Sequence, residues 1–110
     1  MSKVDISQTK IALPDDIKWV GQPGFPDRGL ENSVLEGDLN GKEIYYTLLR
    51  WYPGYMSAPQ CYATDRLCVV VSGTWWVNSG ADFDPDNCVP TPPGSFILRV
   101  AGAPHSCGRL

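Results

Sequence analysis

The chain has 110 residues, a formal net charge of −3 and 43% hydrophobic residues. This is enough apolar material for one packed domain, which excludes a disordered chain. The nine basic residues are scattered along the chain, and no apolar run approaches about 18 residues, so we expect neither nucleic-acid binding nor a membrane-spanning segment.

The N-terminus and the cysteines indicate the compartment. The sequence MSKVD has no apolar core of a secretory signal, so a cytoplasmic location is expected. There the four cysteines would stay reduced. No two of them are spaced as C-x-x-C, which argues against a zinc knuckle or a thioredoxin-type motif.

The first 32 residues are predicted to form an N-terminal arm. Clusters of Pro, Gly and Asp separate two short apolar stretches, residues 11–13 and 17–20, which are candidates for edge strands. The main part of the single domain is predicted over residues 33–110.

The rest of the chain favours an all-β fold. The 11 glycines and 10 prolines interrupt any long helix. Segments rich in β-branched and aromatic residues recur at intervals of about 8–12 residues, and Asn40-Gly41 is a hairpin signal. The predicted strands are residues 33–39, 43–52, 66–71, 74–78 and 95–100, and residues 79–93 are predicted to form a loop.

Residues 94–105 have the sequence GSFILRVAGAPH, which resembles the second conserved motif of the cupin superfamily. That motif has Gly, five residues, Pro, one residue, Gly, two residues and His. Gly94, Gly102 and His105 stand at matching positions, and Val100 stands where proline is usual.

The spacing of the first cupin motif is kept between Gly54 and Gly73. Its two His positions hold Gln60 and Tyr62, and its Glu position holds Arg66. An Arg at that position is common in one bacterial group of small cupins, which residues 73–76, 83–85 and 93–96 also resemble. Gln and Tyr are departures from that group.

The resemblance covers about residues 17–108 and implies a cupin-type jelly-roll β-barrel, also called a double-stranded β-helix. The sequence ends five residues after His105, so this barrel is expected to be short at its C-terminus. Small cupins commonly pair, and the aromatic residues of the strands offer apolar surface, so a homodimer is expected.

The cupin resemblance also implies that side chains from both motifs line one cavity. Alternation along a strand puts residues two positions apart on the same face. One of the adjacent aromatic residues in the sequence Trp75-Trp76 is also expected to point into the pocket. The predicted catalytic residues are His105, Tyr62 and Arg66, and the predicted substrate-binding residues are Gln60, Cys68, Cys107 and Trp76.

Typical cupins hold a metal through three His and one Glu, and of this set only His105 is present. Gln is neutral, Tyr must lose a proton at a pKa of about 10, and Arg66 would repel a cation. We therefore predict neither a metal nor a cofactor. The alternative is a metal-dependent, oxygenase-like cupin that recruits Cys68 or Cys107 as a thiolate ligand.

The residues present suit proton transfer without a metal. His105 is the only His in the chain, and an ordinary His pKa near 6.5 suits proton abstraction or delivery. Tyr62 can donate a hydrogen bond to a developing oxyanion, and Arg66 can hold a carboxylate or enolate. The prediction is an isomerase, cyclase, dehydratase or lyase with a small organic substrate; a non-catalytic ligand-binding cupin is a further alternative.

Overall fold

The computed structural model describes residues 3–109, and it is all-β. Two short 3-10 turns, Pro14–Asp16 and Pro85–Asn87, accompany the strands, and no α-helix occurs within residues 3–109. The nine strands are β1 Val20–Gly21, β2 Leu30–Glu36, β3 Tyr46–Trp51, β4 Tyr55–Met56, β5 Arg66–Val69, β6 Trp75–Val77, β7 Val89–Thr91, β8 Phe96–Arg99 and β9 Cys107–Arg109.

Five of these strands lie within or overlap the predicted segments, but the structure corrects several predictions. Of residues 11–20, only Val20 is in a strand. The segment predicted as a loop, residues 79–93, contains β7, which tolerates Pro90 because β7 is the edge strand of its sheet. The strands β4 and β9, of two and three residues, were not predicted.

The chain groups into two compact units, one ending at Arg50 and the other beginning at Trp51. The first unit contains the sheet with strand order β1-β2-β3, except for Trp51, the last residue of β3. A turn around Asp38 precedes β3, where the Gly41 N–H donates to the Asp38 carbonyl at 3.0 Å. The division predicted between residues 32 and 33 stays a prediction.

The second unit contains two antiparallel sheets. One has the strand order β4-β9-β6-β7, and the other pairs β5 with β8. No closed barrel is found in the described part of the chain. The pairing of β5 with β8 is the feature that positions the candidate site, because it connects the two segments with cupin-like spacing.

The two faces of the β5–β8 sheet differ in character. One face carries Arg66, Cys68 and Arg99, all buried or half-buried. The other face is apolar and exposed, and its six side chains have exposed fractions of 50–74%. They are Leu67, Val69, Val71, Phe96, Leu98 and Val100.

The buried interior of the second unit is unusually polar. Besides Val70, Cys88 and Cys107, it includes four buried polar or charged residues. They are Ser57, Arg99, His105 and Ser106. No helix within residues 3–109 has both the length and the apolar character that a bilayer crossing requires.

Candidate functional site

Backbone pairing joins the two cupin-like segments at the candidate site. The Gln60 and His105 backbones exchange two N–H···O hydrogen bonds of 2.8 Å. The Gly102 N–H donates to the Tyr62 carbonyl, also at 2.8 Å. Residues 40 or 45 positions apart are thereby held side by side, as the predicted site requires.

Tyr62 lies at the centre of the predicted catalytic residues. Its ring centroid is 5.0 Å from that of His105, and the guanidinium carbon of Arg66 lies 3.6 Å from the Tyr62 ring centroid. The Gln60 Nε2 donates to the Tyr62 hydroxyl at 3.4 Å. We call Gln60, Tyr62, Arg66 and His105 the Tyr62 cluster.

Arg99 is a further charged residue beside the Tyr62 cluster, and the sequence analysis did not select it. It lies directly opposite Arg66 in the β5–β8 register. A sequence signal was available, because strand alternation puts Arg99 on the same face as Ile97, where an apolar residue is expected. Two guanidinium groups therefore approach the site from neighbouring strands.

Arg99 is held by backbone carbonyls instead of by a carboxylate. Its Nη1 donates to the Asn78 carbonyl at 2.7 Å and its Nη2 to the Ser106 carbonyl at 3.3 Å. The ring centroid of Trp75 lies 5.5 Å from the guanidinium carbon. Asn78 is fixed in turn, since its Oδ1 accepts from both the N–H and the hydroxyl of Ser106 at 3.0 and 2.8 Å.

His105 is a neutral base in this environment. Its side chain is 3% exposed. Burial, together with the positive charges of Arg99 and Arg66, lowers the pKa of His105 below its ordinary value of 6.5, although the Ala103 carbonyl opposes this. The Nδ1 lies 3.4 Å from that carbonyl oxygen, which can only accept, so Nδ1 carries the proton and Nε2 the lone pair.

Tyr62 is a protonated phenol. Burial raises its pKa above 10.0, and this outweighs the opposing charge of Arg66. Arg66 lowers the pKa of Tyr62, but burial has the larger effect, so the net shift is upward. Tyr62 is available as a hydrogen-bond donor, which is the role predicted for it.

The two cysteines predicted at the site stay protonated at neutral pH. Burial raises the pKa of the Cys107 thiol to about 11, although the Arg99 charge opposes the change. Burial also raises the pKa of Cys68. Neither is in a disulfide, and the same is true of Cys61 and Cys88. Thiols of this kind are poor sources of thiolate ligands.

The aromatic pair in β6 divides between two faces. Trp75 contacts Arg99, whereas alternation turns the half-buried Trp76 to the opposite face, across from Gly108 and Pro90 in the neighbouring strands. The structure therefore brings Trp75, rather than the predicted Trp76, next to the buried charge.

A cleft of about 460 Å³ lies close to this region. It is lined by residues 77–80, Asp82, Asp84, Asn87, Val89 and residues 97–99, and Arg99 is the residue it shares with the surroundings of the Tyr62 cluster. Within residues 3–109, no group of three His, Cys, Asp or Glu side chains is arranged to hold a metal ion. No protein-family model and no curated protein matches the chain.

Proposed function

We propose that the protein is a small enzyme of cupin type that transfers protons on a small organic substrate without a metal. The observation that carries the proposal is the contact of Tyr62 with both His105 and Arg66, at 5.0 Å between rings and 3.6 Å from guanidinium to ring. This places a neutral base, a phenol donor and a cation in one half-buried group.

Each side chain has a distinct role in this proposal. His105 removes a proton next to a carbonyl through Nε2. The Tyr62 hydroxyl donates to the oxygen on which negative charge develops, and Arg66 holds that enolate or a neighbouring carboxylate. Gln60, whose Nε2 already donates to the Tyr62 hydroxyl, orients the phenol. Returning the proton to another atom gives isomerisation, and loss of a leaving group gives dehydration, cyclisation or elimination.

The cupin jelly-roll remains part of the proposal, and the motif glycines support it. Gly54, Gly73, Gly94 and Gly102 all have positive φ, from +70° to +87°. This conformation is readily available only to glycine, and the cupin motifs place a glycine at each of these positions. A cytoplasmic location is also proposed, supported by the four free cysteines.

We further propose that the protein forms a homodimer through the exposed face of the β5–β8 sheet. This face has six exposed large apolar side chains and no charged one. Four of them pair in register, Leu67 with Leu98 and Val69 with Phe96, and Val71 and Val100 follow directly after the strands. Contiguous apolar surface of this kind is uncommon on monomers and is typical of interaction surfaces.

The proposal is tested by hydrogen exchange at carbon. Small 2-oxo and 3-oxo carboxylates are incubated with the protein in D₂O, and the exchange of the protons next to the carbonyl is followed by NMR. We expect catalysed exchange with at least one of them. His105→Gln should lower that rate by roughly 10²–10⁴-fold, because it removes the base.

Two further variants make the exchange experiment specific. Tyr62→Phe keeps the ring beside Arg66 and His105 and should lower the exchange rate, since only the hydroxyl is lost. Lys42→Gln, at an exposed loop position, should leave the rate unchanged. Exchange that is no faster than in buffer for every compound, or that is unaffected by His105→Gln, would reject the proposal.

A further inference from the structure

The cleft beside β6 and β8 has a buried cation at its wall. Arg99 lines the cleft and is only 7% exposed. Its two hydrogen bonds occupy one proton on each terminal nitrogen, and its buried Nε has no hydrogen-bond partner within residues 3–109. Arginine has five N–H donors, so donors remain for another acceptor.

The charge of Arg99 is not neutralised by the protein around it. Among residues 3–109, no carboxylate forms an ion pair with Arg99, and the residue opposite it in the register is another arginine, Arg66. A buried cation without a counter-ion is costly, and carbonyl dipoles compensate it only in part. An anion bound next to Arg99 would therefore stabilise this buried positive charge.

The same cleft is lined by two carboxylates. Asp82 and Asp84 belong to its wall, and the Asp84 carboxylate is held by the Asn87 amide, which donates to it at 2.6 Å. Asn78 connects this wall with the rest of the site, since its Nδ2 donates to the Asp84 carbonyl at 3.4 Å. The cleft thus presents opposite charges on side chains that do not pair with each other.

We propose that this cleft is a binding site for a small monocarboxylate that also carries an amino or hydroxyl donor. The ligand carboxylate accepts hydrogen bonds from Arg99, and the ligand donor faces Asp82 and Asp84. A doubly charged phosphate fits less well, because the two carboxylates of the wall would repel it. The site goes beyond the proposed proton transfer, and its occupation needs no reaction.

Four matched four-carbon probes test this inference by calorimetric or NMR titration of the intact protein. They are 4-aminobutanoate, 3-hydroxybutanoate, butanoate and n-butylamine. We expect one or both of the first two to bind about tenfold or more tightly than butanoate, because only they satisfy both walls, and butylamine to bind weakest. The first two compounds distinguish an amino from a hydroxyl donor.

Variants locate the binding in the cleft. Arg99→Lys keeps the charge but loses the planar fork and should weaken binding by about tenfold or more. Because Arg99 is buried and this variant could fold poorly, Val89→Trp provides a second test. Val89 is exposed and lies opposite Val77 in the cleft wall, so a Trp there should block entry.

Val20→Trp is the matched control for the blocking variant, since Val20 is 61% exposed against 60% for Val89 and lines neither the cleft nor the β5–β8 sheet. It should bind the probes like the unchanged protein. The inference is overturned if no carboxylate probe binds at millimolar concentration, if butylamine binds as tightly as the carboxylates, or if Val89→Trp binds them as well as Val20→Trp does.

Discussion

The ionisation of His105 depends on charges from a neighbouring strand as well as on its own burial. Arg99 acts more strongly than Arg66 in lowering the pKa of His105, and both act in the same direction as desolvation. The consequence is that the only histidine of the chain is neutral and basic at physiological pH. His105 is therefore deprotonated, and ready to act as a general base, without a partner carboxylate.

This state predicts a definite pH dependence. NMR titration should give a His105 pKa below 6.5, and Arg99→Gln should raise it more than Arg66→Gln does. Between the folded-state pKa and about 6.5, the unfolded chain binds the proton and the folded chain does not, so the free energy of unfolding should fall as the pH falls through that window.

Denaturant unfolding of His105→Gln provides the control for this linkage. Without the imidazole, the slope of stability against pH in the same window should become smaller. A histidine that titrates at or above 6.5, or an unchanged slope in the variant, would contradict the assigned cause.

Motif spacing in the sequence identified four residues of the site but not Arg99. Gln60, Tyr62, Arg66 and His105 were predicted through motif spacing, and the structure places them in one cluster. Arg99 follows only from strand register and burial, which depend on how β5 and β8 pair. Motif spacing can be recognised in the sequence, whereas the residue that lies across from a given position on the next strand is known only from the structure.

At the scale of the elements, Gly108 determines how closely β4 and β9 approach. A methyl group on Gly108 would lie 2.6 Å from the Met56 Cα and 3.0 Å from the Tyr55 carbonyl carbon. These are backbone atoms, which cannot rotate away. The pairing of Met56 with Gly108 therefore requires a residue without a side chain.

We expect Gly108→Ala to lower the free energy of unfolding by about 1–3 kcal/mol or more, because the strands must separate to admit the methyl group. Urea unfolding followed by tryptophan fluorescence measures the change. Gly41→Ala is the matched control, since a methyl group there would meet its nearest atom, in Asp38, at an ordinary 3.4 Å. Equal stability of the two variants would contradict the close approach.

The elements also show where sequence patterns suffice. The longer strands β2 and β3 overlap their predicted segments, since six or seven residues display β-propensity and alternation. The two-residue β4 and the three-residue β9 are formed by pairing with other strands and have no pattern of their own. The all-β class was therefore predictable, whereas the division of the strands into separate sheets was not.

At the scale of the whole molecule, the uncharged outer face of the β5–β8 sheet predicts self-association. Sedimentation at micromolar concentration should give about twice the chain mass of 12.1 kDa. Val69→Glu should shift the protein to the monomer, because burying an unpaired carboxylate at the contact is costly.

Ile44→Glu is the control for this experiment, because Ile44 is 76% exposed and lies outside the β5–β8 sheet. It should leave the dimer intact. A monomer already present with the unchanged sequence, or the same dissociation in both variants, would reject this face as the contact.

The edge strand β7 affects which assemblies the second unit can form. Because β6 and β7 stay paired at all three positions, the ring nitrogen of Pro90 lies on the open side of the strand. A strand from another molecule that paired with β7 would therefore lack one backbone hydrogen bond, because Pro90 has no N–H to donate. Pro90 thus protects the edge strand from strand addition and the growth of fibrils. Association through the faces of the sheets, rather than through their edges, is therefore favoured.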